Sequence, residues 1–231
     1  PCARCSAWNT LRPGIVGFSM TTGVHLFHLD LVRRLKQQFD FVSVFGGPHP
    51  TYFPEIIHEE GVDVVCVGEG EYPLLELADH LAVGTDYCHI PNLIVKQGGE
   101  LFNTPPRPFL QDLDALPFPD RDLFPMSNRS HYSMIANRGC PYSCTYCFNH
   151  QHKQLTGGRY LRQRSVANVI AEARDLRDRH GAKRIDFQDD IFILDKRWLR
   201  EFASRFRQEV GLPFWCHVRA NLVTEEVVGL L

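Results

Sequence analysis

The stretch "NRGCPYSCTYCFNH", residues 137–150, places three of the chain's eight cysteines within eight positions. Cys140, Cys144 and Cys147 form a C-x3-C-x2-C run. Thiolates select soft metals, chiefly zinc or the iron of iron–sulfur clusters. A closed tetrahedral zinc site needs a fourth ligand, and His150 and His152 are close enough in sequence to be candidates. A 4Fe–4S cube held by three cysteines leaves one iron open instead. Spacing alone leaves both readings standing.

Working outward, "YSMIANRG" (132–139) reads as a strand leading straight into the cysteine run. "SVANVIAEARDLRDRHG" (165–181) reads as a helix with Ser165 as N-cap and Gly181 as its stop. "RIDFQDDIFI" (184–193) reads as a strand, "KRWLREFASRFRQE" (196–209) as a helix and "FWCHVRAN" (214–221) as a strand. This βα alternation predicts a parallel sheet. "TPPRPFLQDLDALPFPDRDLFP" (104–125) carries six prolines and little periodicity, so 104–131 reads as a surface-wrapping connector. Its expected anchors are Leu110, Leu113, Leu116 and Phe118.

The first hundred residues alternate in the same way. "GIVGFSM" (14–20), "FVSVF" (41–45) and "VDVVCV" (62–67) are short apolar strands. "HLFHLDLVRRLKQQ" (25–38), with Leu26, Leu29, Val32 and Leu35 at helical spacing, "PEIIHEE" (54–60) and "YPLLELADHLA" (72–82) are the helices between and after them. "NLIVKQGGELFN" (92–103) reads as a hairpin about Gly98-Gly99. In an open α/β sheet, ligands bind outside the carboxyl ends of the strands. "SMTTG" (19–23), "GGPHPT" (46–51) and "GEGE" (68–71) all fall at that edge, and their glycines let backbone approach a ligand closely.

Composition narrows the classes. With 25 basic and 27 acidic residues the net charge is −2, without the basic stripe of a dedicated nucleic-acid binder. The basic run "RYLRQR" (159–164) reads as a solvated loop before a helix. No run of apolar residues is long enough to span a membrane. The clustered cysteines suit metal binding in a reducing, cytoplasmic setting rather than disulfides. Cys66, Cys88 and Cys216 read as small core residues, and the Cys2/Cys5 pair carries little weight. The non-Met start and the apolar "TEEVVGLL" end (224–231) lead us to read the chain as a fragment.

A strand, then C-x3-C-x2-C with Tyr146 before the last cysteine, then βα units, resembles the radical SAM superfamily. The resemblance implies that the three cysteines hold a 4Fe–4S cluster whose open iron chelates S-adenosylmethionine (SAM). It implies that Tyr146 lies near the adenine. "FQDD" (187–190) stands where that family has a Gly-Gly-Glu segment, which makes Asp189 and Asp190 candidates for the SAM ammonium group. The alternative is a pair of strand-end acids capping a turn. Arg219 is a candidate for the SAM carboxylate or a structural ion-pair partner.

The first half resembles the cobalamin-binding domain that precedes many radical SAM domains. Ser19-x-Thr21 and Gly46-Gly47, 27 positions later, match the spacing of two of that family's motifs. Thr22, His49, Gly68, Glu69 and Gly70 are further cobalamin-edge candidates, with Glu71 beside them. His49 reads first as a loop-ordering residue. The family's Asp-x-His-x-x-Gly element has no counterpart, since the eighteen residues before Ser19 contain no histidine.

The expected fold is therefore α/β. A Rossmann-like, doubly wound cobalamin-binding domain (1–103) is followed by the connector and the first half of a radical SAM partial TIM barrel (132–231). The resemblance implies a 4Fe–4S cluster, SAM and cobalamin as cofactors, a small-molecule substrate, and a one-electron reductant such as flavodoxin or ferredoxin. Methyl transfer to an unactivated carbon is the expected reaction. A radical oxidative cyclase and a non-catalytic zinc or corrinoid module are the alternatives.

Overall fold

The computed structural model describes residues 11–123 and 130–231, so Cys2 and Cys5 lie outside the described residues. The chain divides into two compact units, 1–108 and 109–231.

In the first unit, β1 (Ile15–Ser19), β2 (Val42–Gly46) and β3 (Val64–Cys66) run parallel. β4 (Leu93–Gln97) and β5 (Glu100–Asn103) complete the sheet antiparallel. The β4–β5 turn falls on Gly98 and Gly99, both at positive φ (62° and 85°), as a two-residue hairpin requires. Side chains alternate across the sheet, and both faces are covered. Phe45 and Val65 join one core with Phe18, Leu29, Val32 and Ile57, while Val44 and Val64 join the other with Leu77, Leu93 and Val95. The Rossmann-like expectation holds. The strands follow one another in sequence order, so the reversal of order in a doubly wound sheet does not occur among the described residues.

Helix α1 (His25–Lys36) buries Leu29 and Val32 but leaves Leu26 67% exposed, so its inward stripe is narrower than the sequence suggests. "GGPHPT", read as a loop, contains the short helix α2 (Pro48–Tyr52) with Pro at its first position. "PEIIHEE" is a 3-10 helix (Pro54–His58). Helix α3 (Glu71–Val83) ends on Gly84 in the left-handed region. The beginning of the Pro-rich stretch belongs to this unit. Thr104 Oγ1 donates to the carbonyls of Ile90 and Leu93, and Arg107 forms a two-pronged pair with Glu76 at 3.0 and 2.9 Å.

In the second unit β6 (His131–Met134) is followed by a two-stranded ribbon, β7 (Asn137–Arg138) with β8 (Arg162–Gln163). The predicted single strand over 132–139 thus breaks at 135–136, and part of the basic run 159–164 becomes a strand. β9 (Arg184–Phe187) and β10 (Phe214–Cys216) then join β6 in a parallel sheet of order β10-β9-β6. Both are shorter than expected: the sheet strand stops at Phe187, before Asp189 and Asp190, and at Cys216, before Arg219.

The helices are α4 (Asn149–His152), α5 (Val166–His180), α6 (Lys196–Arg205) and α7 (Glu225–Leu230). Ser165 Oγ accepts from Asn168 N–H at 3.1 Å and Gly181 adopts φ 67°, as the caps of α5 predicted. Helix α6 opens on Asp195, whose carboxylate accepts from the N–H groups of Arg197 and Trp198. It then widens into a π-helical turn over Phe206–Val210, which closes at Gly211. The core beneath the sheet is aromatic. Phe187, Phe192, Phe202, Phe206 and Phe214 pack mostly edge-to-face, and Trp198 stacks on Phe202 at 5.1 Å.

The connector's expected anchors hold only in part. Leu113 is buried, but Leu110, Leu116 and Phe118 are half-buried, and Phe109 is the second deep anchor. Polar ties do the rest. Asp114 accepts from Ser165 N–H, and Arg121 pairs with Glu172 at 2.6 Å. Glu172 is 2% exposed and also pairs with Arg164 at 2.6 Å, a buried ion triad that helical periodicity did not reveal.

Candidate functional site

The registers of β6, β9 and β10 bring Met134, Phe187 and Cys216 level. The segments that follow them therefore leave the sheet at one edge, the edge where α/β sheets bind ligands. Those segments are the cysteine loop, Gln188–Asp190 and His217–Arg219.

The loop is held from three directions. Gly139 turns the chain at φ +95°, and a Cβ there would lie 2.6 Å from the Tyr160 carbonyl oxygen. Cys147 N–H donates to the Cys144 carbonyl, which closes a turn between two of the thiols. Lys153 Nζ donates to the carbonyls of Pro141 and Tyr142 at 2.8 and 3.0 Å, tying the loop to the residue after α4. Cys140 is buried, while Cys144 and Cys147 are partly exposed. Burial pushes the Cys140 thiol up, the Tyr142 backbone N–H opposes this, and nearby Asp190 and Cys147 act in the same sense as burial. Among the described residues, no three His, Cys, Asp or Glu side chains converge closely enough to hold one metal ion.

The two adjacent acids part company. Asp189 is 1% exposed and turned inward. Its carboxylate accepts from the N–H groups of Ala136 and Asn137, which fixes the backbone just ahead of the cysteines. Asp190 is exposed and faces the loop, where its Oδ2 accepts from Asn149 Nδ2 at 3.2 Å. Asn149 Nδ2 also donates to Cys147 Sγ at 3.3 Å, and Tyr160 O–H donates to Asn149 Oδ1. Arg219 lies over the Tyr142 ring at 3.8 Å and reaches Cys144 Sγ with Nη1 at 3.7 Å. Tyr146 projects outward, 91% exposed. His152 packs against Phe109, Phe148 and Tyr160, away from the role of metal ligand considered above. Asn149, Tyr160 and Lys153 were not singled out from the sequence; position 149, two residues past Cys147, was the available signal.

Burial pushes the Asp189 carboxyl up to about 6, against the lowering effect of the two amides it accepts from. The folded chain thus keeps this proton to higher pH than the unfolded chain does. The stabilising contribution is complete below the ordinary value of 3.8 and is lost as pH rises through about 6. Asp189→Asn should therefore flatten the pH dependence of stability between about pH 4 and 6. Urea unfolding at a series of pH values measures it, and an unaltered slope would contradict the assignment.

The first unit presents an edge of its own. The three loops after β1, β2 and β3 are stitched to one another. Met20 N–H donates to the Gly46 carbonyl, and His49 N–H to the Met20 carbonyl. Gly68 N–H donates to Thr51 Oγ1 at 3.1 Å. Gly47 has φ +90°, and a Cβ there would meet Met20 backbone atoms at 3.0 Å and Ser19 Oγ at 3.1 Å. His49 is buried, shares a 3.0 Å hydrogen bond with Thr22 and is stacked against His25 and Phe53. Burial holds it below the usual imidazole range, with help from His25. It orders the loops, as expected. Ser19, Thr21 and Thr22 are exposed along the edge, Gly46, Gly68, Glu69 and Gly70 are half-exposed, and Glu71 starts α3.

The sequence model of the B12-binding domain family matches residues 6–78. An uncharacterized methyltransferase of Pyrococcus horikoshii is 34% identical over 226 residues, covering 93% of this chain and 48% of that protein. Cytidylyl-2-hydroxyethylphosphonate methyltransferase of Streptomyces wedmorensis is 28% identical over 243 residues, covering 87% and 44%. The chain thus spans about half or less of these curated relatives. The radical SAM methyltransferase TsrM of Kitasatospora setae, solved with cobalamin and a 4Fe–4S cluster, has the same fold at a TM-score of 0.73 and 22% identity, over 99% of this chain and 51% of that one. The cobalamin-dependent SAM radical enzyme OxsB gives 0.74 at 20% identity, over 97% and 34%.

The B12-binding match thus covers the first sheet and its loops, and both units share the fold of TsrM and OxsB.

Proposed function

We propose that this chain forms the cofactor-holding part of a cobalamin-dependent radical SAM methyltransferase that alkylates an unactivated carbon of a small molecule. The observation that carries the reading is the convergence of the cysteine loop, Asp190 and Arg219 on one sheet edge. The donor set fits a 4Fe–4S cluster: three thiols on one loop, with N–H groups and a guanidinium turned toward two of them. When bound, the cluster supplies the electron that cleaves SAM to the 5′-deoxyadenosyl radical, and cobalamin supplies the methyl group.

Cys140, Cys144 and Cys147 hold the cluster. Asp190, already oriented by Asn149, accepts from the SAM ammonium group, while Asp189 is spent on the backbone. Arg219 offers positive charge to the carboxylate end, and the exposed Tyr146 ring offers a stacking face for adenine. Along the first sheet, Ser19, Thr21, Thr22 and the glycines at 46, 47, 68 and 70 admit the corrin, with Glu69 at its amide fringe and His49 bracing from behind. The reductant is a small one-electron carrier of the flavodoxin or ferredoxin type, in a reducing cytoplasm. Among the described residues no helix is long and apolar enough to cross a membrane.

Anaerobic reconstitution with iron and sulfide tests the reading. The chain is expected to turn brown, with about four irons per chain. Cys140→Ala is expected to lose that absorbance entirely. Stoichiometric zinc without the iron–sulfur band would overturn the proposal.

A further inference from the structure

Asn149 sits 3% exposed beneath the cysteine loop, two residues past Cys147. Its surroundings fix which way its amide points. The Asp190 carboxylate only accepts, so the group facing it at 3.2 Å is the amide nitrogen. Tyr160 O–H on the other side then donates to the amide oxygen. An amide nitrogen carries two hydrogens, and the second is directed at Cys147 Sγ, 3.3 Å away. One buried side chain therefore holds a cysteine sulfur with one hydrogen and an exposed carboxylate with the other. A serine or threonine, with one hydrogen, could not serve both.

Hydrogen bonds to cysteine sulfur and burial are two of the levers by which a protein sets the potential of an iron–sulfur cluster. We infer that Asn149 is a positioning residue which raises the reduction potential of the cluster on Cys147 while aligning Asp190, with Tyr160 fixing the amide. The inference rests on the cluster reading above. The N–H···S bond stabilises the extra negative charge of the reduced form more than the oxidised form. Its loss makes reduction harder. Tyr160 acts at one remove: without its hydroxyl the amide keeps its partners but loses the restraint on its plane.

The experiment is a redox titration of the reconstituted full chain, read by the EPR signal of the reduced cluster, with iron and sulfide content measured on each sample. Asn149→Leu, which removes both hydrogens at similar volume, is expected to shift the midpoint to more negative potential. Tyr160→Phe is expected to shift it in the same direction by less. Asn149→Gln should restore part of the wild-type potential, which a merely space-filling role would not produce. If Asn149→Leu assembles no cluster, the Tyr160→Phe midpoint decides alone. Full clusters with unchanged midpoints in the variants overturn this inference and leave the functional reading intact. A wild-type chain that takes up no cluster overturns both.

Discussion

Replacing Glu172 by alanine is expected to cost the second unit about 3–5 kcal/mol, the size of effect seen when one member of a buried ion pair is removed. Glu172 lies on the inner side of α5, 2% exposed, with Arg121 on one oxygen and Arg164 on the other. The arginine side chains are themselves only 14% and 11% exposed, so the mutation strands two guanidiniums away from water. Arg164 also donates to the Ile135 carbonyl and Arg121 to the Ser133 carbonyl. The damage therefore reaches the end of β6, where the chain turns toward the cysteines. Urea unfolding followed by tryptophan fluorescence measures it, because Trp198 is stacked in the same unit and donates to the Arg164 carbonyl. A loss below about 1 kcal/mol, the scale of an exposed ion pair, would show that the triad is not closed to solvent.

The second large effect is expected at Gly139. A residue with a Cβ there faces both a positive φ and a backbone oxygen at 2.6 Å. The conformation alone costs of order 1–3 kcal/mol, and the carbonyl of Tyr160 cannot move without disturbing the β7–β8 ribbon and the tyrosine that braces Asn149. Gly139→Ala should still fold around its aromatic core but retain little iron after reconstitution. Gly157→Ala is the control, since a Cβ at that position meets nothing within 4 Å and its φ is ordinary. Iron and sulfide analysis of the pair decides the matter. Equal cluster content in both variants would mean that the loop adapts, and that Gly139 is a convenience of the turn rather than a requirement of the site.

Alternation of short apolar strands with amphipathic helices was enough to read both sheets, and turn chemistry was enough to read the Gly98-Gly99 hairpin and the ends of α5. The cysteine spacing and the strand before it located the loop. Where the reading slipped, tertiary polar contacts had overridden local pattern. "RIDFQDDIFI" looks like one continuous strand until Asp189 takes up the backbone amides of Ala136 and Asn137, which ends the ladder. "YLRQR" looks like a solvated loop until Arg162 and Gln163 find Asn137 and Arg138 as strand partners. Leu26 fits the helical stripe of α1 by spacing, yet faces solvent. Glu172 is a charged residue buried on α5, and no local pattern marks it, because its two arginines lie 51 and 8 positions away in sequence. Asn149 was legible as a residue type but not as a role, because its partners Asp190 and Tyr160 come from segments that only the fold brings together.

The separation of Asp189 from Asp190 carries a constraint on chain length. Past the end of β9 the chain turns, and one acid is held inward by the amides of Ala136 and Asn137 while the next faces the cysteine loop through Asn149. The arrangement is set by counting from the end of β9. One residue added or removed between Phe187 and Asp189 would carry Asp189 away from the amides of Ala136 and Asn137 and Asp190 away from Asn149.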